Sequence, residues 1–456
     1  MVYDLIVLGG GPAGYLAAER AGHAGLKTAV IEKRFVGGVC LNEGCVPSKT
    51  LLNSAKVFEH AAHGEKYGVK TEKASIDQNF VIDRKNKVVN TLVTGIKGAL
   101  RANKVTLVEG VGTIEGRNAD GYEVKVNDET YTAKRLIIAT GSAPVLPPIK
   151  GAKEGLESGF IMTNREILDL REIPENLVVV GGGVIGLEMA AYFNTVGSKV
   201  TVIEMMDKIA GPTDAQISEI LMKNYQKKGV DFKLSSKVVE FKADAVCYEY
   251  EGKAYEVKAD KVLMSIGRRP VTEGIGLEKI GVELERGKIK TDSTGKTNVP
   301  NVYATGDVNG VSMLAHTAYR ESEVAVNNIL GKKDIMRYDA IPAVIYTNPE
   351  VGSVGETEES AKAKGIDYEV ASVSMMYSGR YVAENDGGDG ICKVLIEKKS
   401  RRMIGCHMIG SYASEIIVSA GMMIETQMRV KDIKEIVFPH PTVCEIIREA
   451  IFKFDD

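Results

Sequence analysis

The sequence predicts an α/β fold built from two doubly wound units followed by an α+β C-terminal domain. Three observations predict it. A strand–glycine-turn–helix–strand pattern occurs twice. The chain has 456 residues, more than one ordinary core of about 100–200 residues holds. The texture of the sequence changes near residue 338, where short alternating segments replace the long apolar runs.

The repeat spans Asp4–Lys33 (DLIVLGGGPAGYLAAERAGHAGLKTAVIEK) and Asn176–Met205 (NLVVVGGGVIGLEMAAYFNTVGSKVTVIEM). A shift of 172 residues (176 minus 4) aligns Gly9 with Gly181, Gly11 with Gly183, Gly14 with Gly186, and Glu32 with Glu204. Each copy reads as an apolar strand, a glycine turn, an alanine-rich helix and a second strand ending in an acid. This is the β-α-β opening of a Rossmann-like domain. One such turn alone is weak evidence; two in matching contexts imply two dinucleotide sites. The first glycine permits the tight turn, the second lets a pyrophosphate approach the backbone, and the third lets the helix pack on the strand. The helix N-terminus then faces the phosphates. Glu32 and Glu204 are placed to accept from ribose hydroxyls. A carboxylate at Glu204, followed by Met205 and Met206 rather than arginine, suits NAD over NADP. The alternative is a glycine-rich turn that holds no ligand.

Further strands are predicted at Arg135–Ser142, Lys261–Gly267 and Asn301–Asp307. Pro144, Pro147 and Pro148 mark a crossing near 143–150. The boundaries follow: one discontinuous domain over 1–145 and 264–337, a second over 146–263, and a third over 338–456. In the third, Cys392–Glu397 and Met403–Ile409 read as antiparallel strands, and Ala413–Met428 and Val443–Phe452 as helices.

The segment Gly37-Gly38-Val39-Cys40-Leu41-Asn42-Glu43-Gly44-Cys45-Val46-Pro47-Ser48-Lys49 carries the reactive groups. Residues five apart in a regular helix rise about 7.5 Å, whereas bonded cysteines need Cα atoms about 4.4–6.8 Å apart. Cys40 and Cys45 therefore cannot bond within undistorted helix. Gly44 and Pro47 fit a distorted turn opening a helix over about 48–60. A helix N-terminus should lower a thiol pKa there. The alternatives are structural thiols or half a zinc site, and no second C-x2-C or His pair completes the latter. Near the C-terminus, His440 lies between Pro439 and Pro441, and Glu445 opens a predicted helix. A His–carboxylate pair is a general acid/base near neutral pH; an isolated His there could equally be structural. Cys247, Cys392 and Cys406 read as buried small hydrophobes. Cys444 fits helix packing, and His23, His60, His63 and His407 read as structural or solvated.

A net charge of -3 provides no basic field, so nucleic acid is not an expected partner. No run of about 18 apolar residues is present, so no membrane span is expected. The N-terminus enters a strand directly and is not read as a signal peptide. Six cysteines in so long a chain do not form a secreted disulfide framework. A cytoplasmic location is expected, with no metal site.

In this order, the two turns, GGVCLNEGCVPSK, the ATG turn at 139–141, YATGD at 303–307 and HPTVCE at 440–445 resemble the flavin disulfide oxidoreductases (class I pyridine nucleotide-disulfide oxidoreductases). The resemblance spans nearly the whole chain. It implies FAD at Gly9, Gly11, Gly14, Glu32, Gly141, Asp307 and Ala315, with His316 nearby. Lys49 would lie near the flavin, paired with Glu188. NAD would lie at Gly181, Gly183, Gly186, Glu188, Glu204 and Gly267. Cys40 would exchange with substrate, Cys45 would face the flavin, and the third domain would form a homodimer. His440 and Glu445 would then serve the partner's cysteines. Leu41-Asn42-Glu43 and Pro47-Ser48-Lys49 resemble the lipoamide-type branch. That implies oxidation of dihydrolipoamide carried on a separate lipoyl-domain protein, and docking to the subunit-binding domain of a multienzyme complex. A reductase of a glutathione-like disulfide and a mainly docking role are the alternatives. Val39 and Pro439 depart from the family's usual Thr and Ala.

Overall fold

The computed structural model describes residues 2–455. It contains two compact units, one formed by Met1–Thr50, Ile82–Val145 and Gly267–Arg337, the other by Leu51–Val81, Leu146–Ile266 and Tyr338–Asp456.

The first unit centres on a five-stranded parallel sheet. Its order is Val302–Ala304, Leu136–Ile138, Leu5–Leu8, Thr28–Glu32, Thr106–Glu109. Leu5–Leu8 is apolar throughout because both faces are covered. Leu5 and Val7 pack with Ala13, Ala17, Ala18 and Ala21 of the Pro12–His23 helix. Ile6 and Leu8 point oppositely, into a core with Tyr122, Val124 and Val126, as the two-residue strand period requires. Those last residues belong to a four-stranded sheet of Val2–Tyr3, Glu129–Ala133, Gly121–Val126 and Gly112–Asn118. Neither this sheet nor the Gln78–Ala102 helix was expected from the sequence, which yielded no assignment between His60 and Arg135.

The predicted strand Arg135–Ser142 is shorter, Leu136–Ile138. It ends at the Gly141 turn, where φ is +72°. The chain then forms a short ribbon, Ser142–Pro144 against Arg268–Pro270. Arg268 secures it by donating to Ser142 Oγ at 2.7 Å and Ser142 O at 2.9 Å. Both crossings of the chain thus meet as a hydrogen-bonded pair.

The second unit contains another parallel sheet, ordered Ile161–Met162, Lys261–Met264, Asn176–Val180, Lys199–Ile203, Asp231–Lys233. The repeat seen in sequence persists in register. Leu5 pairs Thr28 and Leu177 pairs Val200, and both partners shift by 172 (177 minus 5, 200 minus 28). The same unit contains an antiparallel sheet, ordered Ala343–Ile345, Glu350–Gly355, Met403–Gly410, Ile391–Glu397, Tyr368–Ser374. Helices Ala413–Glu425 and Glu445–Ile451 cover it through Ile417, Ala420, Ile446 and Ile447. Among the described residues, no helix is long and apolar enough to cross a membrane, and no cluster of three or more His, Cys, Asp or Glu could hold a metal.

Candidate active site

The dithiol lies in the first unit, at a break between two helices. Gly38–Glu43 carries Cys40, and Cys45 is the first residue of Cys45–Ala62. Gly44 makes the break, with φ −153° and ψ −108°. The second helix therefore starts three residues before the predicted Ser48. Asn42 holds the first helix to its entry loop, donating to Val36 O at 3.1 Å and Gly38 O at 2.9 Å. Arg34 pairs with the buried Glu43 at 2.9 Å. Gly38 seats this helix on the first nucleotide turn, because a Cβ there would lie 2.6 Å from Gly11 Cα.

Both cysteines are thiols, Cys40 half-buried and Cys45 exposed. Hydrogen bonding to the Cys45 thiol, then burial, push the Cys40 thiol well above its ordinary value; the Lys49 ammonium pulls the other way. Two adjacent sulfurs share one site, and ionising one disfavours ionising the other. Lys49 Nζ donates to Ser48 Oγ at 3.3 Å. A feature missed in the sequence is the pair Tyr15–Tyr319, whose hydroxyls are 2.5 Å apart. Burial pushes both phenols upward, and the Cys40 charge adds to this. Nothing local in either tyrosine's helix marks it.

The two glycine turns match in detail. Gly10 N donates to Glu32 Oε2 at 2.7 Å and Arg34 N to Glu32 Oε1 at 2.7 Å. Gly182 N donates to Glu204 Oε2 at 2.6 Å and Met206 N to Glu204 Oε1 at 2.8 Å. Each acid thus braces its own glycine turn, a role absent from the sequence reading. Gly14 permits contact that a side chain would forbid: its Cβ would lie 1.7 Å from Gly9 O. Gly9 itself has φ +104°. The helices Pro12–His23 and Val184–Thr195 begin at Gly11 and Gly183 without any side-chain cap. Unsatisfied N–H groups beside open glycine backbone fit the phosphates of a dinucleotide. The residues present therefore fit FAD at the first turn and NAD at the second.

Around the first turn, Asp307 opens a short 3-10 turn after Gly306 and accepts from Ser142 Oγ. Gly141 O accepts from Val271 N at 2.9 Å. Ala315 is the first residue of the Ala315–Ile329 helix, which also lacks a side-chain cap, and His316 is exposed. Gly267, expected with the NAD residues, falls in the first unit, where its carbonyl accepts from Val145 N at 3.0 Å. Glu188 is buried in the second unit and accepts from Tyr346 N at 3.1 Å.

His440 and Glu445 also lie in the second unit. His440 Nδ1 meets Glu445 Oε1 at 3.0 Å. Thr442 N donates to Glu445 Oε2 at 2.9 Å, while Thr442 Oγ1 donates to Pro439 O at 2.7 Å. Burial would raise the Glu445 carboxyl, but the Thr442 amide and His440 imidazole hold it below its ordinary range. The ring is therefore oriented through Nδ1, and the His440 side chain is 76% exposed. Thr442 was not singled out in the sequence.

Cys392 and Cys406 are fully buried, as expected, with sulfurs 4.0 Å apart. Cys247 is only half-buried, on the central strand of a small antiparallel meander, opposite Glu256. It is no core hydrophobe: its sulfur stays partly exposed and lies 3.7 Å from Glu256 Oε2. His407 is buried, and its Nε2 lies 2.8 Å from Glu356 O.

Residues 3–322 match the pyridine nucleotide-disulphide oxidoreductase family, and residues 341–451 its dimerisation domain. A protein of Mycoplasma pneumoniae named dihydrolipoyl dehydrogenase is 38% identical over 99% of this chain and 98% of its own length. One from Geobacillus stearothermophilus with the same name is 40% identical over 98% and 95%. Among solved structures, LpdA from Mycobacterium tuberculosis superposes with TM-score 0.89 at 25% identity, over 98% of this chain and 99% of that one. The HOCl-induced flavoprotein disulfide reductase RclA from Escherichia coli has TM-score 0.86 at 26% identity, over 99% of both chains. A family match over most of the chain and relatives 38% and 40% identical over nearly its full length leave one assignment: the chain belongs to the pyridine nucleotide-disulphide oxidoreductase family.

Proposed function

We propose that this protein oxidises protein-bound dihydrolipoamide to lipoamide and passes the electrons to NAD through the Cys40–Cys45 couple and FAD. The adjacent sulfurs at the Gly44 break are the observation that carries the reading. The full-length likeness to proteins named dihydrolipoyl dehydrogenase supports the choice of substrate.

His440, oriented by Glu445, takes a proton from one substrate thiol. The resulting thiolate attacks Cys40, the Cys40–Cys45 bond breaks, and a mixed disulfide forms. The second substrate thiol displaces Cys40 and leaves both cysteines reduced. Cys45 is the sulfur assigned to the flavin side. Lys49 is assigned beside that ring. FAD, when bound, supplies the two-electron link between the dithiol and the nicotinamide. Gly9, Gly11, Gly14, Glu32, Gly141, Asp307 and Ala315 hold it, in the part formed by 1–145 and 264–337. Gly181, Gly183, Gly186, Glu188 and Glu204 hold NAD in the 146–263 part. The 338–456 part joins two copies, so that His440 and Glu445 of one act on the dithiol of the other. The lipoyl group arrives on a separate protein, and a subunit-binding domain is the expected docking partner.

A visible spectrum tests this. The purified protein should show bound flavin and gain a long-wavelength band on adding dihydrolipoamide. The Cys45→Ser variant should keep flavin, lose the band and lose turnover. Faster reduction of glutathione disulfide than of lipoamide would overturn the substrate assignment.

A further inference from the structure

A buried lysine of the antiparallel sheet is tied to the strap that runs past the second nucleotide turn. Lys393 lies mid-strand in Ile391–Glu397 and is only 5% exposed. Its ammonium pairs with Asp214 Oδ2 at 2.9 Å and Glu358 Oε1 at 2.6 Å. Asp214 is 0% exposed. Its other oxygen caps the Ala215–Lys227 helix, accepting from Gln216 N at 3.0 Å and Ile217 N at 3.3 Å.

From Asp214 the strap runs back to Glu204, the acid assigned to the NAD ribose. Each step of it is held. Ser218 Oγ donates to Ile209 O at 2.8 Å, and Thr213 N donates to Ala210 O at 3.2 Å. Ala210 takes a left-handed backbone, φ +63°, and its N–H donates to Gly182 O at 2.8 Å. Ile209 packs so closely on the turn that a Cβ on Gly182 would lie 3.2 Å from it. Gly182 N in turn donates to Glu204. A single chain of contacts thus joins Lys393 to the carboxylate that faces the ribose. The Val184–Thr195 helix, whose N-terminus faces the phosphates, starts two residues after Gly182.

We infer that Lys393 is a positioning residue for NAD, holding the 204–214 strap in its receiving conformation through Asp214. The inference rests on the assignment of NAD to the second turn. Without the Lys393 ammonium, Asp214 is a buried carboxylate lacking its cation, and the strap escapes that cost by moving outward. Apparent affinity then falls by the fraction of time the strap remains in place. Dihydrolipoamide binds elsewhere, so its KM is insensitive to the strap.

The test uses the FAD-loaded enzyme, with Lys393→Met, Lys393→Arg and Asp214→Asn. Asn keeps an oxygen for the helix cap but loses the charge, so it separates capping from the ion pair and also serves if Lys393→Met does not fold. The expected result is a rise of about tenfold in the KM and calorimetric Kd for NAD in Lys393→Met and Asp214→Asn. The KM for dihydrolipoamide, the flavin spectrum and kcat at saturating NAD stay unchanged, and Lys393→Arg recovers most of the NAD affinity. A lowered melting temperature with unaltered NAD binding would overturn the inference, as would equal losses for both substrates. If the unaltered protein bound no NAD, the functional assignment would fall and this inference with it.

Discussion

Gly14→Ala adds one methyl group to the Pro12–His23 helix and should cost the protein its flavin. The added carbon would lie 1.7 Å from Gly9 O, whereas ordinary contact begins at 3.4 Å. The deficit is 1.7 Å (3.4 minus 1.7). Gly9 cannot retreat: a Cβ on it would already lie 2.2 Å from Ala139 O, and its N–H is bonded to Ile31 O at 2.8 Å. The helix must move instead, and it packs against Ala315–Ile329. Overpacking of this kind costs about 1–3 kcal/mol, which lowers Tm by roughly 2–12 °C in a unit of this size. The larger effect is on the N–H groups at Gly11, because misplacement by about 1 Å can cost about 100-fold. Flavin per chain, measured by absorbance after denaturation, should fall well below one. Gly186→Ala is the internal control. Its Cβ meets Gly181 O at 2.2 Å, so it should lose NAD affinity while keeping FAD. Full flavin content and an unchanged Tm in Gly14→Ala would refute the packing argument.

Glu445→Gln keeps an acceptor for Thr442 N but removes the carboxylate facing His440, and should lower kcat by about 10–100-fold, as loss of an orienting partner does; steady-state rates check this. Glu204→Ala removes the acceptor of both Gly182 N and Met206 N and should raise the KM for NAD without changing that for dihydrolipoamide. Glu59 is held below its ordinary carboxyl value: burial raises it, but Lys228 at 2.8 Å and Asn348 at 2.7 Å outweigh this. A depressed folded pKa contributes stability present above the unfolded value of 4.5, lost as pH falls through the folded value. Glu59→Gln should therefore flatten the acid limb of a Tm-versus-pH curve below about pH 4.5 and leave the rest of the curve's shape unchanged.

Much of the site was legible in the chain because its chemistry is local. Gly9, Gly11, Gly14 and Glu32 lie within one β-α-β unit, and Cys40 and Cys45 within one break. Glu445 lies five residues after His440, so spacing alone pairs them. Each of these depends on backbone geometry over a few residues, and a 172-residue repeat doubled the signal. Local patterns also misled. The sequence places the two sulfurs together, but the burial that adds to the upward push on the Cys40 thiol is set by the fold. Cys247 has strand-like apolar neighbours, yet whether a strand face is covered depends on what packs there.

The sequence by itself determined two nucleotide turns, the dithiol and the His–Glu pair, because short-range sterics and hydrogen bonding specify them. Tertiary structure alone decided the Tyr15–Tyr319 pair, the ribbon joining Ser142 to Arg268, and the burial of Lys393 against Asp214. The members of those contacts are 304, 126 and 179 residues apart. Burial and charge pairing over such separations follow from how sheets and helices pack, and no periodicity in the chain encodes them.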